Sequence, residues 1–316
     1  MTELLPGLYQ IPVPIPYPLK TVNLYLLKGK GEVALVDTAL GTRAAKGSLE
    51  LALAELGLCF SDVHTVLLTH HHPDHYGLSG FFENQGARVY LHEEEILRGH
   101  RFWKDPVAFR EQSLKIFLEG GMPPAVLEGI EEEMRKTYER VYPPEAPTPL
   151  REGEVLEAAC FRLRVVWTPG HADGHVVFMA DEGWALGGDM LLERVSPNIG
   201  LWAYTRENPL ADFLASLDKL AGLSPKVVFP GHFNPIWEPK ARAEELKAHH
   251  QARLEALLAL LTEPRTPWAL SLALFPGELT PAQRRFAFAE TLAHLEYLRR
   301  QGLVAKEGHP ALYVRA

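Results

Sequence analysis

Cysteine is nearly missing from this 316-residue chain: Cys59 and Cys160 stand far apart, each within an apolar stretch. Two such residues build no disulfide framework, and they are expected as buried free thiols in a reducing cytoplasm. Long hydrophobic runs are missing too. None approaches the roughly 20 residues of a membrane span, and the opening MTELLPG has neither the basic n-region nor the apolar h-region of a secretory signal. The expectation is a cytoplasmic protein without membrane contact. Basic charge is not in excess either, and a formal net charge of −8 gives no general attraction to nucleic acid or anionic lipid. The balance is uneven, since residues 240–316 hold 11 basic and 8 acidic side chains. Asparagine occurs only at Asn23, Asn84, Asn198, Asn208 and Asn234, beside 25 prolines, a bias that suits heat-adapted proteins.

What is present is a globular composition, 47% hydrophobic and 23% charged, long enough for one large core and a smaller second unit. Chemistry concentrates in TVLLTHHHPDHYG over 65–77, which places His70, His72, Asp74 and His75 within six positions behind an apolar run. Val66, Leu67 and Leu68 predict a buried strand. Residues two apart in extended chain point the same way, so His70 and His72 can face one ion while His71 points away. Pro73 breaks the strand, and the turn re-aims Asp74 and His75 toward a second position. Nitrogen and oxygen donors of this kind suit zinc, with iron or manganese as alternatives.

Before this loop, strands are expected over 8–13, 22–28 and 33–37, with Pro12, Pro14, Pro16 and Pro18 stiffening the first connection. Tyr17 at its tip is either a lid over a substrate or an exposed aromatic. Asp37 ends its strand. Apolar residues at Ala45, Leu49, Leu53 and Leu56 predict a helix over 42–56 stopped by Gly57. A helix over 78–84 and a strand over 88–91 follow. Residues 93–147 carry aromatics and charges at helical spacing, expected as a roof that shapes a substrate pocket, a dimer contact being the other use. Strand character returns over 154–158, 161–166, 176–180 and 184–186. Three turns then end strands on a ligand-type residue: TPGH with His171, GGD with Asp189 and PGH with His232.

HxHxDH, TPGH, GD and PGH, in this order over roughly 7–235, resemble the metallo-β-lactamase superfamily. The resemblance implies an α/β fold, an αββα sandwich forming a catalytic domain at 1–237 with a helical insertion at about 93–147. It implies two Zn²⁺ ions, one on His70, His72 and His171 and the other on Asp74, His75 and His232, with Asp189 bridging. Asp74 and Asp189 are then the carboxylates of the catalytic centre, and a hydroxide held between the metals attacks a carbonyl or phosphorus. Asp37 would brace the histidine loop and His175 would support ligands rather than be one. Tyr76 is expected in the core, and the Ser196-Pro-Asn198 turn either offers polar groups at the rim or is only a turn. Neither cysteine lies in a ligand motif, which disfavours β-lactam hydrolysis, and His72 stands where a di-iron flavoprotein would have glutamate. A mononuclear iron persulfide dioxygenase, using His70, His171 and Asp189, is the oxidative alternative.

The tail predicts helices over 243–261, 266–274 and 280–301, then a hairpin of 303–305 with 312–314. Three helices and a hairpin make a winged-helix-like domain at 238–316, similar to that of the β-lactamase-like protein 2 branch, whose members include a ribonuclease. Arg284, Arg285, Arg299 and Arg300 could meet phosphates, but packing on the catalytic domain or dimerisation accounts better for the apolar residues between them. The expected activity is hydrolysis of a thioester or ester in a small, anionic substrate. Phosphodiester cleavage comes second, and a nucleic-acid-binding regulator with a vestigial site third.

Overall fold

The computed structural model describes residues 1–316. Seven strands form the first sheet in chain order: β1 (Thr2–Leu5), β2 (Leu8–Pro14), β3 (Thr21–Gly29), β4 (Glu32–Val36), β5 (Thr65–Leu67), β6 (Arg88–His92) and β7 (Thr148–Leu150). Pairing is antiparallel through β4 and parallel from there to β7. The second sheet runs β12 (Val227–Pro230), β11 (Trp184–Gly188), β10 (Val176–Ala180), β9 (Phe161–Trp167) and β8 (Val155–Ala158), with only β11 and β12 parallel. The parallel pairs are joined by helical crossovers, as parallel strands must be.

Alternation along β3 shows why two sheets stack. Tyr25 and Leu27 enter one core with Leu163, Val165, Phe178 and Phe229 of the second sheet, while Leu24 and Leu26 face the opposite core. That outer core is covered by α1 (Arg43–Glu55), α2 (Pro73–Tyr76) and α3 (Ser79–Asn84). Thr42 caps α1 by accepting from the Ala45 N–H. The insertion contributes α4 (Glu93–Glu95), a π-helical turn Ile96–His100, α5 (Arg101–Lys104), α6 (Pro106–Glu119) and α7 (Pro124–Tyr138). On the far side, α8 (Pro209–Leu223) covers the second sheet through Leu210, Phe213, Leu217 and Leu220. The layers are helix, sheet, sheet, helix, as expected.

Downstream lie α9 (Pro239–Leu260), α10 (Pro267–Leu274), α11 (Pro281–Arg300) and a hairpin of β13 (Val304–Glu307) with β14 (Leu312–Arg315). Their apolar side chains do not form a core of their own. Leu246, Leu257, Leu270, Leu295, Leu298 and Tyr313 belong to the same cluster as Phe213 of α8 and Val177 of β10. The insertion also meets the tail, since Phe117, Leu127 and Ile130 pack against Phe288 and Leu292 of α11. No helix is long and apolar enough to cross a membrane.

Two expectations need correction. Cys59 and Cys160 are free but exposed, not buried. Cys59 precedes the 3-10 turn Phe60–Asp62, and Cys160 follows the positive-φ Ala159 between β8 and β9, so turns carry both thiols outward despite apolar neighbours. Residues 199–226 carried no expected element, yet they contain α8.

Inside the tail contact, the buried Glu290 accepts from Asn198 Nδ2 at 3.2 Å, with Arg253 Nε 3.9 Å away. Burial pushes its carboxyl up to about 7 against both partners. A folded pKa above the unfolded value of 4.5 means that ionisation opposes folding. The cost is absent at pH values below the unfolded pKa, grows as pH rises to the folded one, and is constant beyond. Glu290→Gln is therefore expected to raise the unfolding free energy by on the order of 3 kcal/mol near pH 8 and hardly at all near pH 4. Denaturant melts at the two pH values check this, and an equal effect at both would refute it.

Candidate metal centre

The seven ligand-type side chains lie on four loops, each leaving the end of a strand. β5 leads through a bend at Thr69 to His70, and His72, with extended φ and ψ of −61° and 145°, caps α2. Pro73 at the first position of α2 then turns the chain, which places Asp74 and His75 one helical step away. β9 delivers His171, β11 delivers Asp189 and β12 delivers His232.

Donor atoms in each of three groups lie within 4.8 Å of one another: His70, His72 and His171; His70, His75 and Asp189; and Asp74, His75 and His232. Asp189 links the halves, with Oδ1 3.4 Å from His75 Nε2, and Oδ2 3.6 Å from both His171 Nε2 and His232 Nε2. Asp74 Oδ2 lies 3.4 Å from His232 Nε2.

Hydrogen bonds fix which imidazole nitrogen is free. Thr69 Oγ1 donates to Asp37 Oδ2 at 2.8 Å and so accepts from His70 Nδ1 at 2.9 Å. His75 Nδ1 donates to the Asp37 carboxylate at 2.8 Å, His171 Nδ1 to the Asn198 carbonyl at 2.9 Å and His232 Nδ1 to the Thr21 carbonyl at 2.6 Å. Each bond leaves a lone pair on Nε2. Those four Nε2 atoms and Asp189 Oδ1 are buried without any hydrogen-bond partner. Orphaned buried acceptors are costly, and five of them converging is what a metal site presents before its ion. Burial, followed by the surrounding imidazoles, holds His70 and His72 well below the usual histidine range, so they stay neutral as ligands must.

Other residues hold these loops. Asp37, in a left-handed conformation at φ +62°, accepts from the Thr69 N–H and hydroxyl as well as from His75. His175 is buried, and its Nε2 accepts from the Asp189 N–H at 3.1 Å, so its lone pair is used in holding Asp189. Tyr25 and Asn23 of β3 both donate to the Pro230 carbonyl ahead of His232. At Gly231 a Cβ would lie 2.5 Å from both Asp189 Oδ1 and His75 Cε1, which explains the glycine of PGH. Asp37→Ala is expected to weaken metal affinity about 10- to 100-fold while leaving all seven candidate ligands present. Competition with a chromogenic chelator measures this, and wild-type affinity would count against the bracing role.

The Metallo-beta-lactamase superfamily model matches residues 17–232, and the model of the Metallo-beta-lactamase-like, C-terminal domain matches 254–315. The chain belongs to the metallo-beta-lactamase superfamily. It is 32% identical to the "Probable metallo-hydrolase YqjP" of Bacillus subtilis, over 91% of each chain. It is 26% identical to the "Beta-lactamase-like protein 2 homolog" of Drosophila melanogaster, over 78% of this chain and 70% of that one. Among solved structures, a metallo-beta-lactamase family protein from Thermus thermophilus matches with a TM-score of 0.93 and 68% identity, over 99% of this chain and 100% of that chain.

In this superfamily member the insertion bonds directly to the ligand loops. Glu95 is fully buried, accepting from the His71 N–H at 2.8 Å, from His71 Nδ1 at 2.8 Å and from the Gly174 N–H at 2.9 Å. Trp103 Nε1 donates to the His71 carbonyl, and the buried Tyr76 bonds His100. His71 thus points away from the ligands, as expected, but onto a carboxylate that its own motif does not announce. Asn198, in the Ser-Pro turn, supplies a carbonyl to His171 and an amide to α11. Of the four tail arginines, Arg299 and Arg300 are paired to Glu296, Arg300 also to Glu207, and Arg284 donates to the Phe275 and Gly277 carbonyls.

Proposed function

We propose that this protein is a hydrolase of thioesters or esters in small, anionic substrates, with two divalent ions, zinc by donor type, held by His70, His72 and His171 and by Asp74, His75 and His232, and shared through Asp189. The observation that supports it is the set of five orphaned acceptors spread over both halves. A mononuclear site on His70, His171 and Asp189 would leave the Nε2 atoms of His75 and His232 buried and unpaired, which disfavours the dioxygenase. An intact donor set likewise disfavours a vestigial regulator.

Bound ions would supply an ionised water as nucleophile near neutral pH and a Lewis acid for the carbonyl oxygen. The chain's own part is to keep His70 and His72 neutral, to fix the Nδ1–H tautomer of four histidines, and to place both carboxylates among them. Two exposed free thiols suit a reducing compartment such as the cytoplasm. A nucleic-acid substrate loses support because Arg299 and Arg300 already face carboxylates.

The test is metal analysis of the purified protein together with turnover of acyl thioesters, aryl esters and bis-phosphodiesters. About two zinc ions per chain and thioester turnover are expected. One iron per chain, or turnover of the phosphodiesters alone, would replace this reading.

A further inference from the structure

Of the four tail arginines, Arg285, on the second turn of α11, is the one with neither a carboxylate nor a carbonyl partner. No carboxylate oxygen lies within ion-pair distance of it, and its single hydrogen-bond partner is the weak acceptor Sδ of Met134, at 3.7 Å from Nη1. Its Cζ instead lies over aromatic faces, 4.6 Å from the Phe286 ring centroid and 5.0 Å from that of Trp202. Stacking holds a guanidinium in place yet leaves its in-plane N–H donors unused. A part-buried cation in that state is costly unless something else supplies the counter-charge.

Its surroundings locate it beside the ligand loops. Phe286, the next residue, offers its carbonyl to Asn198 Nδ2 at 3.3 Å, and the Asn198 carbonyl holds His171 Nδ1. Trp202 lies on the same loop as Asn198. From the insertion, α7 brings Met134 and Tyr138, whose buried hydroxyl has no hydrogen-bond partner. From the β2–β3 loop comes Tyr17: burial first, then the Asp74 carboxylate, push its phenol up to about 12, while a hydrogen bond with Thr137 and the charges of Arg140 and Arg285 pull the other way. Tyr17 packs against the same apolar cluster as Tyr138, within electrostatic reach of Arg285. Three parts of the chain distant in sequence thus bring one unpaired guanidinium and two phenols together, with α11 joined to the His171 loop through Asn198.

We infer that Arg285, with the hydroxyls of Tyr138 and Tyr17, forms an oxyanion-binding subsite that takes the carboxylate or phosphate at the end of the substrate remote from the scissile bond. The inference rests on the hydrolase reading for its substrate but not for its binding chemistry. Arg285 supplies a forked, charge-assisted contact and the phenols add donors, as recognition of a carboxylate or phosphate requires. The tail thereby becomes part of the substrate site, and an anionic substrate is selected at a distance from the metals.

The test uses metal-loaded, full-length protein and matched probes: N-acetylcysteamine thioesters of glutarate and of valerate for the carboxylate, and valeryl thioesters of phosphopantetheine and pantetheine for the phosphate. Arg285→Met is expected to raise KM for the favoured charged probe about 10- to 100-fold, with kcat within about threefold and the neutral probes unchanged. Arg285→Lys should recover part of the loss, and Tyr138→Phe, which deletes one oxygen, should raise that KM about 2- to 10-fold. Equal KM values for charged and neutral probes in the wild type, or equal changes in both on Arg285→Met, would overturn the subsite while leaving hydrolysis intact. If no probe turns over, the hydrolase reading fails instead, and calorimetry with glutarate and benzyl phosphate decides the subsite: weaker binding of either to Arg285→Met supports it, and unchanged or absent binding of both overturns it.

Discussion

Asp189→Ala is expected to lower kcat/KM for any thioester that the wild type hydrolyses by at least about a thousandfold, and to reduce metal content from about two ions per chain to one or none. The reason is position. Asp189 is the one carboxylate whose two oxygens reach both histidine sets, with Oδ1 toward His75 and Oδ2 toward His171 and His232. Asp74, by comparison, groups only with His75 and His232 and reaches neither His70, His72 nor His171. On the dinuclear proposal, removing Asp189 deletes the shared anion that would offset two divalent charges in a buried site, whereas Asp74→Ala should cost one half of the site more than the other. The Asp189 backbone N–H keeps its bond to His175, so the loop itself has no reason to move. Elemental analysis and turnover on the same preparation make the two losses separable. Wild-type turnover with full metal content would remove Asp189 from the centre, and lost turnover with full metal content would assign it a role in the reaction rather than in holding ions.

How much of this was legible in the chain depends on how local each signal is. His70, His72, Asp74 and His75 could be found because their spacing is metal chemistry compressed into one loop. His171, Asp189 and His232 each look ordinary, but every one stands where a strand stops, and the sandwich brings those strand ends to one rim. Helix boundaries such as Thr42 with α1 and Thr280 with α11 follow from caps visible as residues. The α8 signal is equally local, an Asn208–Pro209 start followed by Leu210, Phe213, Leu217 and Leu220, but it carries no ligand-type motif. Other features were not local at all. Nothing distinguishes Glu95 from Glu93 and Glu94 until Gly174 packs against its backbone and His71 turns toward it. Asn198 acts through its carbonyl, which every residue possesses. The thiols were misplaced because apolar neighbours in sequence do not reveal that a turn faces solvent, and Arg285 became distinct from Arg284, Arg299 and Arg300 only once their partners were known.

Glu95 is also where the largest stability effect is expected. Its buried carboxylate accepts two backbone N–H groups, from His71 and Gly174, and a ring N–H from His71, joining the β5 and β9 ligand loops through one side chain of the insertion. Glu95→Ala leaves those donors buried without acceptors, at about 1–3 kcal/mol for each group, so a loss of about 3–5 kcal/mol in unfolding free energy is expected. That is a large share of the stability of an ordinary domain. Burial alone would raise the Glu95 pKa, but the His71 charge and the hydrogen bonds from His71 and Gly174 outweigh it and hold the carboxyl below its usual value of 4.5. The sign follows: the stabilisation is fully present above the unfolded pKa and is lost as pH falls through the folded one. Glu95→Gln keeps an acceptor but not the charge, so its deficit should be smaller, and should shrink only in acid as the wild type loses its own advantage. Urea melts of the three proteins between neutral pH and about pH 3, read at unchanged m, measure both effects. An Ala variant as stable as the wild type would mean that His71 and Gly174 find other partners, and the insertion would then be a cover over the ligand loops rather than the clamp that fixes them.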